Sequence, residues 1–311
     1  MDPPPDLTDQ ATLDAILTKA VEFDKLQKRG VEDKGLVFLP NKLSAFTGWS
    51  KETHSNGQVS DLIQYHNGRQ NGLCAEWYEN GQRYREITYK NNQRHGLLEE
   101  WHGNGQRFWK CTYKDDKKNG LYETWYENGN RQEKYNYKND QRDGLCEDSH
   151  SNGQRALKYT IKSGKIDGLS ECWYENGKLW KKINYTNGQY HGLFESWHSN
   201  GNRRSRYNCR GGKIDGLFED WHPNGSRWKK THYKDDKCHG LFEDWNPNGN
   251  RRSKFNYKNG KKDGPCEMWH PNGQKFWKCT YRNGEEHGLW ERWDEDGKYS
   301  SKLWQDGKPV E

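Results

Sequence analysis

The stretch ENGQRYREITYKNNQRHGLLEEWHGNGQRFWKCTYKDDKKNGLYETWYENG, residues 79–129, says almost the same phrase twice. Each of its Gly81, Gly105 and Gly129 follows an Asn, and the pair returns every 24 residues from Gly57 to Gly297, with Asp for Asn only at the last. A second glycine series keeps the same step from Gly48 through Gly72, Gly96 and Gly120 to Gly288. A fixed period in the twenties defines a tandem array whose members lean on their neighbours, so residues 48–311 read as about ten repeats.

Within a repeat the runs between turn signals, such as residues 193–198 and 203–207, are too short for helices and predict hairpin strands. Pro223, Pro247 and Pro271 stand before Asn-Gly. Proline suits the second position of a type I turn but would remove a ladder N–H from a two-residue type I′ hairpin. A three-residue loop is therefore expected, a type I turn followed by a left-handed Gly in a G1 bulge. The same geometry is expected at the other loop, where Asn92, Asp116, Asp140, Gly164, Gly188, Gly212, Asp236, Gly260 and Gly284 are all residue types that tolerate positive φ.

That register puts Leu217, Glu219, Trp221, Arg227, Thr231 and Tyr233 on one face, and Leu97, Trp101, Cys111 and Tyr113 on the same face of another repeat. It sets Arg107 against Trp101 and against Glu123 of the following strand, Arg131 against Trp125 and Glu147, and Arg227 against Trp221 and Glu243. Glu at 99, 123, 147, 171, 195, 219, 243, 267 and 291 then reads as a structural column, because a catalytic acid has no reason to recur in every repeat.

The expected fold is all-β: an elongated, single-layer, twisted antiparallel β-hairpin array with a short N-terminal capping helix. With two strands per repeat and about 4.8 Å per strand, it would extend on the order of 100 Å. Residues 8–29 place Leu13, Ile16, Leu17, Ala20, Phe23 and Leu26 at helical spacing before Gly30. The domain reading is a tail and amphipathic cap over 1–30, a lead-in strand segment over 31–47 containing GLVFLP, and the array over 48–311.

Composition agrees with an open, wet fold. Apolar residues make up 30% and charged residues 31%, too polar for a large closed core, yet 16 tryptophans and 18 tyrosines contradict disorder. The net charge of +6 arises from interspersed signs, which favours solubility and disfavours nucleic acid as a partner. No run approaches the length of a membrane-spanning helix. The eight cysteines form no C-x-x-C pair; they read as scattered replacements of small or apolar residues, reduced in a cytoplasmic location.

The phrases DGLFEDWHPNGSRWKKTHYKDDKCHG, NGLYETWYENGNRQEKYNYKNDQRDG and DGPCEMWHPNGQKFWKCTYRNGEEHG resemble the MORN-repeat variant of bacterial YwqK-like proteins, labelled antitoxin components of toxin–antitoxin systems. The resemblance covers residues 48–307 and implies a scaffold, an assembly device or a lipid-binding module. Two places depart from it. The last repeat is one residue short between Gly297 and Gly307, which puts a regular closing strand in question, and Asp148-Ser149-His150 lacks the repeat's Trp.

No chemistry stands out. His102, His150, His198, His222 and His270 recur before Asn-Gly, about 10 Å apart across two strand spacings, too far to share a tetrahedral metal. Tyr78, Tyr126 and Tyr174 replace them, so a polar ring at a strand end explains the position. A single-layer ribbon also lacks a dry pocket. The expectation is a non-enzymatic protein–protein interaction scaffold with no cofactor and no metal.

The candidate interaction surface is the column Trp77, Trp101, Trp125, Trp173, Trp197, Trp221, Trp245, Trp269 and Trp293 with Arg107, Arg131 and Arg227. A broken series, Tyr84, Phe108, Trp180, Trp228 and Phe276, is expected on the opposite face. The partner would be a protein, including a second copy in a homo-oligomer. The alternative is a ligand-binding array for anionic lipid headgroups or carbohydrate, with peripheral membrane contact through the rim Lys90, Lys114, Lys138, Lys162, Lys234 and Lys258.

Overall fold

The computed structural model describes residues 5–30 and 35–310. The first residues of the expected tail and residues 31–34 of the lead-in lie outside them. The chain divides into two compact bodies, residues 1–153 and 154–311. Both are built the same way, and the described chain is nearly all-β, 63% strand with one α-helix.

Each body is an open sheet of successive antiparallel hairpins. In the first, Gln93–Trp101 pairs with Arg107–Lys114, which pairs with Lys117–Trp125. In the second, Lys213–Trp221, Arg227–Lys234 and Lys237–Trp245 repeat the pattern.

The Asn-Gly loop is the three-residue form. Gly105 donates its N–H to the His102 carbonyl at 2.8 Å, His102 donates to the Gln106 carbonyl at 2.7 Å, and Gly105 sits at φ 81°. Proline at 223, 247 and 271 is accommodated because its position in the type I turn needs no N–H in the ladder.

The other loop corrects the expectation. Asp115 and Asp116 both have positive φ, 49° and 64°, and Lys114 pairs directly with Lys117, so this is a two-residue type I′ turn. The Asp, Asn or Gly at its second position tolerates the left-handed backbone, as the sequence indicates. Its first position, Asn91, Asp115, Asn139, Asn187, Asp235, Asn259 or Asn283, does so too.

The facing of side chains also needs correction. Asp220 pairs with Lys229 but Trp221 pairs with Arg227, so Trp228 is an extra residue in a β-bulge. Its insertion flips the rest of the strand. Leu217, Glu219, Trp221 and Arg227 do share one face, whereas Thr231 lies opposite Phe218 and Tyr233 opposite Gly216 on the other. Likewise Cys111 faces Leu98 and Tyr113 faces Gly96, apart from Leu97 and Trp101.

The flipped residues make the core. Cys74, Ile87, Leu98, Cys111 and Tyr113 form one buried cluster, joined by Ile63, Tyr89, Trp109 and Tyr122. In the second body Phe194, Tyr207 and Phe218 stack in sequence with centroids 4.4 and 5.2 Å apart. Phe255, Cys266 and Cys279 form a further cluster there. Burial of this row is the main favourable contribution to the sheet.

Opposite this row the second glycine series solves a different problem. Ile87 pairs with Leu98 and Tyr89 with Arg94, so residues 95–97 stand against the single residue Thr88. Gly96 takes φ 114° there, and a Cβ on it would meet the Thr88 Cβ at 3.2 Å. Both the backbone and the space favour glycine.

The closing repeat forms a regular strand, Tyr299–Gln305, paired without interruption from Gly288↔Trp304 to Trp293↔Tyr299. The missing residue is the bulge residue, so the short repeat keeps its pairing. A last strand, Lys308–Pro309, pairs with Gln305 and Trp304.

The cap is shorter than the apolar spacing predicts. The α-helix runs Gln10–Lys19, with the Asp9 side chain accepting from the Thr12 N–H at its N-terminus. The chain then leaves the helix because Val21 and Glu22 add a parallel strand to Ser50 and Lys51, and Phe23–Lys25 make one 3-10 turn. Leu36–Phe38 of the lead-in pairs with Gln27–Arg29. The helix does cap the first hairpins: Leu13, Ile16, Leu17 and Ala20 pack on Leu62, Leu73 and Ala75, with Trp49 and Trp77 alongside.

Five of the eight cysteines are in phase with the repeat, and Cys172, Cys209 and Cys238 each fall at a position of their own. Cys74, Cys146 and Cys266 share one repeat position and Cys111 and Cys279 another, both in the core row. Cys266 and Cys279 are direct cross-strand partners with Cα atoms 5.0 Å apart, within disulfide reach. Cys74, Cys111, Cys209 and Cys238 are free thiols.

Candidate interaction surface

The face away from the core row carries the tryptophan column. Each repeat contributes Leu, Glu and Trp from one strand and Arg and Lys from the next: Leu97, Glu99 and Trp101 face Thr112, Lys110 and Arg107. All nine column tryptophans are half-buried.

Arg107 is the Cα partner of Trp101, as expected, but its side chain makes the reverse choice of neighbours. Its guanidinium lies over the Trp125 ring of the following repeat at 5.2 Å and pairs with Glu99 of its own hairpin at 3.0 Å. Arg227 repeats this with Trp245 at 5.7 Å and Glu219 at 3.1 Å. The strand-end bulge explains the reversal: it turns the Arg stem toward the next hairpin, while the Glu two residues before the paired Trp remains diagonal and within reach.

Arg131 would stack on position 149, which is Ser. With no ring there, it reaches Glu123 at 3.6 Å and Glu147 at 3.9 Å, so here the expected Glu147 contact is present. Arg83, Arg155, Arg203, Arg251 and Lys275 cover Trp101, Trp173, Trp221, Trp269 and Trp293. Trp77 belongs to the cap cluster instead. Seven of the nine column rings are thus cation-covered, worth roughly 0.5–1 kcal/mol per pair at this exposure; at Trp197 the covering position is Leu179.

Beside the column runs an apolar stripe. Leu73 is 2% exposed beneath the helix, but its equivalents Leu97, Leu145, Leu169, Leu241 and Leu289 are 37%, 39%, 42%, 38% and 50% exposed. The covered patch is specialised, since Ala75 and Leu62 replace the Glu and Lys found at those positions further along.

The recurring His and Tyr before Asn-Gly have a structural task. His54, His198 and His222 place Nε2 at 2.9, 2.9 and 3.0 Å from the carbonyls of Trp77, Trp221 and Trp245. Tyr78 and Tyr174 donate their hydroxyls to the equivalent carbonyls of Trp101 and Trp197 at 2.9 and 2.8 Å. Either ring staples one repeat to the next, which is why they interchange. Asn side chains add a second staple, as Asn224 Nδ2 donates to the Pro247 carbonyl at 2.8 Å.

The six rim lysines are all exposed at strand ends beside the two-residue turns. Carboxylates interrupt the rim: Asp116 accepts the Arg94 N–H at 3.0 Å, and Asp236 accepts that of Ile214 at 2.7 Å.

Sequence reasoning finds the broken aromatic series but misses that its members are bulge residues packed on the turn rings. Tyr84, Phe108, Trp180, Trp228 and Phe276 are its aromatic members, and each packs on the ring at the preceding turn, Tyr78, His102, Tyr174, His222 or His270. They do lie opposite the Trp column. Their spacing of six residues after the turn ring is the signal that could have revealed the contact.

Several ionisable groups are shifted by burial. Asp148 and Asp220 are held above the usual carboxylate range by burial, and the Cys74 thiol is pushed up to about 12 by burial. Among the described residues no cluster of three or more His, Cys, Asp and Glu could hold a metal, and no helix is long and apolar enough to cross a membrane.

Successive stapled hairpins with one apolar-and-cationic face define a tandem β-hairpin repeat protein. Five segments, residues 70–91, 118–139, 166–187, 214–235 and 239–259, match the MORN repeat variant. The first four run from one two-residue turn to the next, so the matched unit is the hairpin closed by Asn-Gly. MORN repeats are in general protein- or membrane-binding motifs. No curated protein matches the chain.

Proposed function

We propose that this protein is a non-enzymatic scaffold that binds a protein partner along its Leu–Trp face. The observation that carries the reading is the leucine stripe. Leu73 is buried by the protein's own amphipathic helix, while its counterparts, Leu97 and Leu145 in the first body and Leu169, Leu241 and Leu289 in the second, are half-exposed. Contiguous apolar rows with aromatic and Arg neighbours are the usual composition of interface cores. The match to the MORN repeat variant supports the same class.

Toxin neutralisation and self-assembly are finer versions of this reading, the first supported only by resemblance. Light scattering over a concentration series tests self-assembly, and a monomer at every concentration removes it. The lipid reading has weaker support, because Asp115, Asp116, Asp235 and Asp236 interleave with the rim lysines.

The scaffold reading is tested by pull-down from the native host with the parent and with a Leu145→Asp/Leu169→Asp variant whose circular dichroism is unchanged. Proteins enriched by the parent and lost from the variant support it. No enrichment by the parent, or equal enrichment by both, overturns it.

A further inference from the structure

The bulge position alternates in the second body: Trp180, Arg204, Trp228, Arg252, Phe276. Trp180 and Trp228 are 39% and 44% exposed, and Arg204 is exposed. The aromatic members stand as ridges, each backed by its turn ring, and a cleft opens before two of them. One, of about 410 Å³, lies between Arg204 and Trp228, with His222 and Pro223 on its wall. The other, of about 310 Å³, lies between Arg252 and Phe276, with His270 and Pro271 in the same places. The same cleft is therefore built twice, two repeats apart.

We propose that this row is a docking site for a proline-rich segment of a partner protein in the polyproline II conformation, with acidic residues opposite the arginines. It rests on the scaffold reading but uses the opposite face of the sheet. Periodicity is the first argument. Successive bulge positions are two strands apart, about 9.6 Å, and three residues of polyproline II advance about 9.3 Å and complete one turn. The edge is held near that spacing because the turns are stapled directly, Asn200 and Asn224 to the carbonyls of Pro223 and Pro247 at 2.6 and 2.8 Å.

Chemistry is the second argument. Indole and guanidinium present N–H donors, and a polyproline II segment presents carbonyl acceptors with few or no N–H donors of its own. Proline rings fill aromatic-walled clefts with little loss of conformational entropy, because the helix is preformed. Charge fixes the register. Arg204 and Arg252 are four strands apart, about 19 Å, against about 18.6 Å for six polyproline II residues. Arg252 already bonds Asp244 through Nε at 2.9 Å, and Arg204 shares its cleft with the half-buried Asp220, so each arginine would meet a peptide carboxylate beside a carboxylate of the sheet.

The test uses the full chain and two polyproline peptides, each carrying two glutamates, set six residues apart in one and five in the other. Tryptophan fluorescence should saturate with the first peptide and respond at least about tenfold more weakly to the second, whose glutamates cannot both face the row. Trp228→Ala and Arg204→Glu should each weaken binding of the first peptide by at least about tenfold. Arg204→Glu changes only an exposed side chain, so it remains informative if Trp228→Ala folds poorly. Absence of saturable binding, indifference to glutamate spacing, or indifference to Arg204→Glu overturns the proposal. So does an acidic polysaccharide binding at Trp228 where the peptide does not. If the peptides fail while the Leu145→Asp/Leu169→Asp variant still loses its partners, the scaffold reading survives without this site.

Discussion

At the residue scale, the conserved-looking ladder of Arg, Trp and Glu is readable in the repeats, but its pairing is not. Arg227 stands against Trp221 in the backbone ladder and over Trp245 in space, because one extra residue, Trp228, redirects the strand end. A double-mutant cycle separates the two. Arg227→Ala combined with Trp245→Phe should show a coupling of about 0.5–1 kcal/mol in chemical denaturation, and with Trp221→Phe close to none, the low figure reflecting partial exposure. Asp148 gives a pH test. It accepts a hydrogen bond from the Tyr135 hydroxyl at 2.5 Å, yet burial raises its pKa, so the folded protein binds its proton more readily than the unfolded chain. Its ionised form therefore costs stability, a cost absent below the unfolded pKa and growing as pH rises through the folded value. Asp148→Asn should flatten the fall in stability that this carboxylate contributes as pH rises above the ordinary aspartate range, as followed by thermal unfolding over a pH series.

At the element scale, the two turns show what residue types reveal and what they conceal. Proline before Asn-Gly excludes the two-residue turn at one end of the hairpin, and the backbone agrees. At the other end no proline discriminates, and Asn, Asp or Gly at one position fits either loop; only the positive φ of both Asp115 and Asp116 decides for type I′. The bulge is concealed for a related reason. Its residue varies among Tyr, Phe, Gln, Ala, Trp, Arg and Ser, so no composition marks it, and periodicity alone then assigns half of a strand to the wrong face. The closing repeat exposes it by omission, since one residue fewer gives an unbroken ladder. The two-residue turn also stitches repeats: Asp116 donates its N–H to the Arg94 carbonyl and accepts the Arg94 N–H on its side chain, both at 3.0 Å. Glycine keeps the first bond and the left-handed backbone, as Gly212 does with the Tyr190 carbonyl at 2.9 Å. Asp116→Gly should cost about 0.5–1.5 kcal/mol for the two exposed bonds its carboxylate accepts from the Arg94 N–H and Nε–H, and Asp116→Ala more, since alanine loses the same bonds and strains at positive φ. Urea denaturation of the pair checks the order.

At the scale of the whole molecule, each repeat is supported by its neighbours, and no single centre holds the chain together. Buried residues lie in local clusters, Leu7, Leu62, Leu73 and Ala75 under the helix, Cys74 to Tyr113 in the next hairpins, and Phe255 to Cys279 far along the sequence. Stability should then be distributed as a chain of nearest-neighbour terms. Removing the cap gives the sharpest consequence. Leu17 is half-buried against the cluster containing Leu62 and Leu73, which are 0% and 2% exposed, and Leu17→Lys removes its apolar packing and adds a second ammonium beside Lys51, whose Nζ lies 3.3 Å from the Leu17 carbonyl. For a half-buried leucine the loss of that packing is about 1–1.5 kcal/mol. It should appear where the helix sits and fade with sequence distance. In native-state hydrogen exchange, amides of strands Gly48–Thr53, Val59–His66 and Arg69–Trp77 should lose protection in the variant, while those of Lys275–Arg282 keep theirs. A uniform loss across all of these strands would mean that the array unfolds as one cooperative block, and the neighbour-by-neighbour account of this fold would fail.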